Sequence, residues 1–164
     1  MRVTPIYEGT SGVQALDLVT RKLPMEGGAV VRGYFDEMRA LDGELAGAGE
    51  AFAGIRVHLA AAVETLSAAT DWLLQQGEND PRAVAAGAMP YLQMFGVVAG
   101  GFYLARSALA ARRLIEAGGD DVFPTNKLVT ARFYAEQILP QAAARLPAVT
   151  AGAERLFEID AEHF

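Results

Sequence analysis

From Ala83 to Ala105 the chain runs 23 residues without a charged side chain, and a stretch of that length either crosses a bilayer or forms the buried central helix of a bundle. Its content decides between the two. Pro90, Gln93 and the glycines Gly87, Gly96, Gly100 and Gly101 sit among small alanines, so insertion into lipid would gain little. The segment is expected to be a core helix, with no membrane span. Its glycines, from Gly96 to Gly101, would let a neighbouring helix approach closely, as suits a compact antiparallel bundle.

The rest of the chain reads as helix around that centre, with no convincing strand alternation. Phe52, Ile55, Leu59, Ala62, Leu66, Ala69 and Leu73 recur at steps of three and four and predict one apolar face on a long helix from about 50 to 76. Asn79-Asp80-Pro81 is a start signal for the central helix, with Asp80 as N-cap acceptor and Pro81 at the first helical position. That helix should run to about Gly118 with a bend near Pro90. A helix over about 30–45 precedes the long one. A final pair is expected over about 125–145, kinked at Pro140, and 147–157. A short first helix to Leu23 would place Val13, Leu16, Val19 or Thr20, and Leu23 on one stripe. Pro24-Met25-Glu26-Gly27-Gly28 reads as a domain boundary, leaving residues 1–26 detached from a bundle domain over 27–164. The predicted fold class is all-α: an antiparallel bundle of four to five helices preceded by a loop and a short helix.

Composition removes several functions. The net charge is -6 and the sequence pI is near 4.9, with no Lys/Arg run to offset it, so nucleic acid is not an expected partner. There is no cysteine, and the two histidines, His58 and His163, lie far apart. No His stands three residues after any Glu, which removes the di-iron bundle pattern, and no metal site is expected. The amino terminus lacks the apolar stretch of a secretion signal, and a cytoplasmic location is expected. At 164 residues the chain is short for an enzyme that must hold a large cofactor by itself.

Residues 5–14, Pro5-Ile6-Tyr7-Glu8-Gly9-Thr10-Ser11-Gly12-Val13-Gln14, place a carboxylate in a loop just ahead of a helix. One reading makes Glu8 a base, in the kind of apolar setting that favours proton abstraction, with Thr10, Ser11 and Gln14 supplying polar groups at the helix start. The simpler reading makes Glu8 an exposed loop acid and Thr10 or Ser11 an N-cap. Elsewhere, Trp72, Phe95, Phe102, Tyr103, Phe133 and Tyr134 are expected mainly in the core, with an acyl pocket as the sharper alternative. Arg106, Arg112 and Arg113 suit the end of a helix, with a phosphate site as the lesser option. His58 reads as structural, and Glu154, Glu158, Asp160 and Glu162 as a solvated face.

The stretch Ile6-Tyr7-Glu8-Gly9-Thr10-Ser11-Gly12-Val13-Gln14 resembles the signature near the carboxyl end of the acyl-CoA dehydrogenases. Phe123-Pro124-Thr125-Asn126-Lys127-Leu128-Val129-Thr130-Ala131-Arg132-Phe133-Tyr134-Ala135, with Leu139-Pro140 and Tyr91-Leu92-Gln93-Met94-Phe95-Gly96, is similar to the extra helical region of long bacterial members. The resemblance implies that residues 1–26 end the flavoenzyme's helical domain and that 27–164 form the added bundle. It implies Glu8 as catalytic base, Tyr7 and Gly9 at the substrate, and Thr10 and Gln14 at FAD. It implies an acyl-CoA substrate and an electron-transfer acceptor for the parent protein, with a homo-oligomer expected. A complete member carries a further helical domain, a β-domain and most of another bundle ahead of the signature, so the chain alone is expected to bind no cofactor and to be inactive. The alternative is a non-catalytic interaction or oligomerisation module, whose first helix should be poorly anchored in a monomer.

Overall fold

The computed structural model describes residues 10–118 and 122–163 and is all-α. In chain order the helices are α1 (Ser11–Asp17), α2 (Ala29–Gly47), α3 (Ala53–Asn79), α4 (Pro81–Glu116), α5 (Val122–Phe133) and α6 (Gln141–Val149). Wide π-helical turns extend α1 through Leu18–Lys22 and α5 through Tyr134–Ile138. The bundle of α2–α6 with α1 laid against it agrees with the predicted class.

The uncharged stretch lies inside α4, and this helix is the hub on which α1, α2, α3, α5 and α6 all pack. Among the described residues it is the one helix long and apolar enough to cross a membrane. In the fold its buried positions include Ala83, Ala88, Tyr91, Met94, Val98, Phe102, Ala105 and Ala108. They cover one broad face of the helix, while Ala85, Met89, Gln93, Gly96 and Tyr103 are exposed on the other side. Asp80 caps its start by accepting from the Arg82 N–H at 3.0 Å, with Pro81 in the first turn. The helix continues through Pro90 uninterrupted.

The seven apolar positions predicted on the long helix are all buried, each at 4 % exposure or less. Three ion pairs connect α2 and α3 along their outer edges: Arg32 to Asp71 at 2.9 Å, Arg39 to Glu64 at 2.8 Å and Arg56 to Asp42 at 2.7 Å. Such exposed pairs contribute little stability each, but their succession suits only one antiparallel register.

Two of the glycines do let a helix approach α4. A Cβ on Gly101 would lie 2.5 Å from Leu139 Cδ2, and one on Gly100 would lie 2.6 Å from the Tyr134 hydroxyl. That hydroxyl donates to the Val97 carbonyl at 3.0 Å. Gly96 has nothing within 4 Å of such a Cβ and plays no part in the approach.

Three expectations are corrected. The segment ahead of Pro24 is not detached: Ala15, Val19 and Leu23 are buried in the common core, so the first helix is anchored within the single chain. The face it buries differs from the predicted stripe, since Val13 is 59 % and Leu16 42 % exposed. Small Ala15 meets the bundle, and the π turn, closed by the Leu23 N–H donating to the Leu18 carbonyl at 2.8 Å, brings Leu23 back to the same side. Pro24–Gly28 is a tight turn: Glu26, Gly27 and Gly28 take φ of 52°, 64° and 85°, and Gly28 is buried where a Cβ would sit 2.7 Å from Leu74 Cδ1. Finally, the last predicted helix does not extend over 147–157. Pro147 lies inside α6, which ends at Val149, and Gly152 with φ 75° turns the chain before a single 3-10 turn at Glu154–Phe157.

Candidate functional site

Tyr7, Glu8 and Gly9 lie outside the described residues, so the site is built from the point where the motif enters α1. Thr10 has extended backbone dihedrals and is the N-cap. Its Oγ1 accepts from the Val13 N–H at 3.4 Å, and its carbonyl accepts from the Gln14 N–H at 3.1 Å. Between Thr10 and Ser11, then, Thr10 is the cap. The long side-chain contact leaves its exposed hydroxyl with a hydrogen to donate outward. Gln14 stands one turn further along and is half-buried.

The other end of α1 carries a charge cluster. Asp17 receives Arg21 through both carboxylate oxygens, at 2.6 and 3.0 Å, and Lys22 at 3.1 Å. Hydrogen bonding from Arg21, and then from Lys22, holds the Asp17 carboxyl below its ordinary range. Two cations thus share one carboxylate.

Beside this cluster an apolar groove of about 300 Å³ opens between the end of α1, the tight turn and α2. Leu23 and Val31 form its floor, and Leu18, Val30 and Tyr34 its walls. Tyr34 stacks on Phe95 at 6.0 Å and meets Phe102 edge-on at 5.9 Å. Burial, followed by the neighbouring Tyr103 hydroxyl, pushes the Tyr34 phenol well above its ordinary range, so it stays a neutral wall.

Sequence reasoning missed this groove. Leu18 and Leu23 are five residues apart, a spacing that only a π turn brings to one side and that neither helical nor strand periodicity would flag.

Phe102 is buried and Trp72, Phe95 and Tyr134 pack against the core, whereas Tyr103 and Phe133 are exposed at 54 % and 60 %. Arg113 pairs with Glu44 at 2.8 Å. Arg112 pairs with Glu116 and donates to the Gly47 carbonyl, and Arg106 lies over the Phe102 ring at 5.6 Å. The three arginines serve three different contacts and do not converge on an anion. His58 is half-buried on α3. Among the described residues no group of three His, Asp or Glu gathers as a metal would require.

The fold and this site define an all-α bundle domain whose first helix is capped by Thr10. A family model described as "Acetyl-CoA dehydrogenase C-terminal like" matches residues 34–160, and the chain belongs to that family. It is 38% identical over 149 residues to the 3-methylmercaptopropionyl-CoA dehydrogenase of Ruegeria pomeroyi, a match covering 91% of this chain and 25% of the relative. The chain therefore spans about a quarter of that protein's length, and its likeness to a C-terminal portion of an acyl-CoA dehydrogenase agrees with the resemblance seen in the sequence.

Proposed function

We propose that the chain is the carboxyl-terminal part of an FAD-dependent acyl-CoA dehydrogenase, which oxidises an acyl-CoA thioester to the trans-enoyl thioester. The observation that carries this reading is the 38% identity to an acyl-CoA dehydrogenase over nearly the whole chain, joined to the Tyr7-Glu8-Gly9-Thr10 motif leading into α1.

In this reading Glu8 removes the α-proton of the thioester, and its backbone N–H, with Tyr7 and Gly9 beside it, positions the thioester carbonyl. The flavin, when bound, supplies the acceptor for the β-hydrogen leaving as hydride. Thr10 and Gln14 are the side chains of this chain that would hold it. The exposed Thr10 hydroxyl, capping α1 with a proton to spare, and Gln14 one turn on suit a polar edge of such a ring. They supply one edge, so the rest of the cofactor's walls come from elsewhere in the parent. Residues 1–26 then end the parent's helical domain while packing on the added bundle of residues 27–164, within which the family match falls. The parent passes its electrons to an electron-transfer acceptor and works in the cytoplasm as a homo-oligomer.

The test is Glu8→Gln in the full-length parent. General-base catalysis of this kind is worth about 10²–10⁴-fold, so acyl-CoA oxidation should fall by that order while the flavin spectrum is retained. Normal oxidation by the variant would overturn the assignment. A visible absorbance spectrum of this chain with added FAD, expected to show only free flavin, tests whether the bundle needs its parent to hold the cofactor.

A further inference from the structure

Resting on the reading of Glu8 as the base, we propose that the added bundle holds the motif in place through α1, with Ala15, Val19 and Leu23 as positioning residues for Glu8. Glu8 stands two positions ahead of the Thr10 cap and is tethered to it by at most about 7 Å of chain. Where α1 points, Glu8 must follow. Yet α1 has only seven residues, and helices shorter than about 12–15 residues are marginal in water without packing. The packing comes from the bundle. Ala15 is 0 %, Val19 4 % and Leu23 2 % exposed, all three belong to the common core, and both α1 and its π turn lie against α4.

The far end of the segment is pinned separately. Arg32 of α2 donates to the Gly27 carbonyl at 3.0 Å and to Asp71 of α3 at 2.9 Å, and Gly28 lies beneath Leu74 of α3. Three helices of the bundle thus fix the one element that leads out of the motif. A general base acts only within about 2.6–3.2 Å of the proton it takes, and a misplacement of about 1 Å can cost about 10²-fold in rate. Ala15 is the buried residue nearest the motif and has no free surface, so a larger side chain there must move α1 off α4.

Ala15→Leu in the full-length parent, alone and combined with Glu8→Gln, tests the assignment. It should lower kcat per bound flavin by about 10- to 100-fold, with KM changed by less than about threefold. In the Glu8→Gln background the same change should cost less than about twofold, because no base is left to misplace. Leu23→Ala loosens the other end of the segment and takes the place of Ala15→Leu if that variant yields no flavin-loaded protein. The control is Leu59→Ala, equally buried but beside Met38 and Leu45, about 22 Å along α3 from Leu74; its kcat per flavin should be unchanged. In the 164-residue chain, hydrogen exchange at Val13 and Gln14 should rise about tenfold or more in both α1 variants and stay unchanged in Leu59→Ala. Undiminished kcat in both α1 variants, an equal loss with and without Glu8, an equal loss in Leu59→Ala, or unchanged exchange at Val13 and Gln14 would overturn the positioning role while Glu8→Gln remains impaired. Normal oxidation by Glu8→Gln alone would instead overturn the base assignment beneath it.

Discussion

The Tyr91 hydroxyl lies 2.7 Å from Thr70 Oγ1 in the middle of the bundle, and Thr70 in turn donates to the Leu66 carbonyl at 2.8 Å. Thr70 has one hydroxyl proton and spends it on Leu66, so Tyr91 must be the donor between them. Both residues are almost inaccessible, and burial pushes the Tyr91 phenol far above its ordinary range. The two substitutions that break the pair should differ. Tyr91→Phe removes the donor and leaves Thr70 bonded to Leu66, at a cost of about 1 kcal/mol. Thr70→Val strands the phenol without an acceptor and should cost about 1–3 kcal/mol. Urea unfolding of the two single variants and the double variant checks this, and a Thr70→Val variant no less stable than Tyr91→Phe would contradict it.

The glycines of α4 give a sharper contrast because two of them look alike in sequence. At Gly101 an added methyl meets Leu139 at Cδ2, Cγ and Cδ1, all within 3.0 Å, and Leu139 is itself 1 % exposed with nowhere to retreat. Gly101→Ala should therefore destabilise by about 1–3 kcal/mol, the usual cost of overpacking. At Gly96 the methyl meets nothing within 4 Å, and removing backbone freedom from a helix interior should stabilise by about 0.5–1 kcal/mol. Thermal melts of the pair should move in opposite directions.

What the sequence made legible follows from how local each signal is. The α3 stripe from Phe52 to Leu73 depends only on the period of a regular helix, and every member is buried. The Asp80-Pro81 start depends only on neighbours and formed as read. The face of α1 did not, because Leu23 returns to the core through a π turn that no period of 3.6 describes. Pro24–Gly28 read as a domain boundary because its glycines have no side chains to betray contact, yet Gly28 is buried beneath Leu74, a partner 46 positions away. Of the motif, an N-cap at Thr10 or Ser11 was legible and the structure selects Thr10, whereas the roles of Glu8, Tyr7 and Gln14 depend on groups that a substrate and a flavin would supply.

Acid should weaken the bundle through two named carboxylates. Hydrogen bonding from Arg56 holds Asp42 below its ordinary value of 3.8, and Arg21 with Lys22 does the same for Asp17. A carboxylate depressed in the folded state contributes stability that is complete above its unfolded value and lost as pH falls through the folded one. The urea midpoint should thus hold steady down to about pH 5 and decline below about pH 4. Asp42→Asn should remove part of that decline. Because the pairs are open to solvent, 1 M salt, with its Debye length of about 3 Å, should flatten it as well. A midpoint independent of pH between 5 and 2.5, at low salt, would refute the contribution of both pairs.

The two helix caps should differ in a way that bears on the motif. Asp80 accepts at 3.0 Å from Arg82 at the start of the helix that every other one packs against. Its loss in Asp80→Ala should cost about 1 kcal/mol and lower Tm by about 2–4 °C. Thr10 accepts at 3.4 Å at the head of a seven-residue helix, where only Ala15 is buried before the π turn. Thr10→Ala should leave Tm within about 1 °C and act locally instead, raising hydrogen exchange at Val13 and Gln14 while the amides of Val19 and Leu23 stay protected. If exchange rose equally through Leu23, α1 would open as a unit with its π turn, and the cap would be holding the whole segment against the bundle.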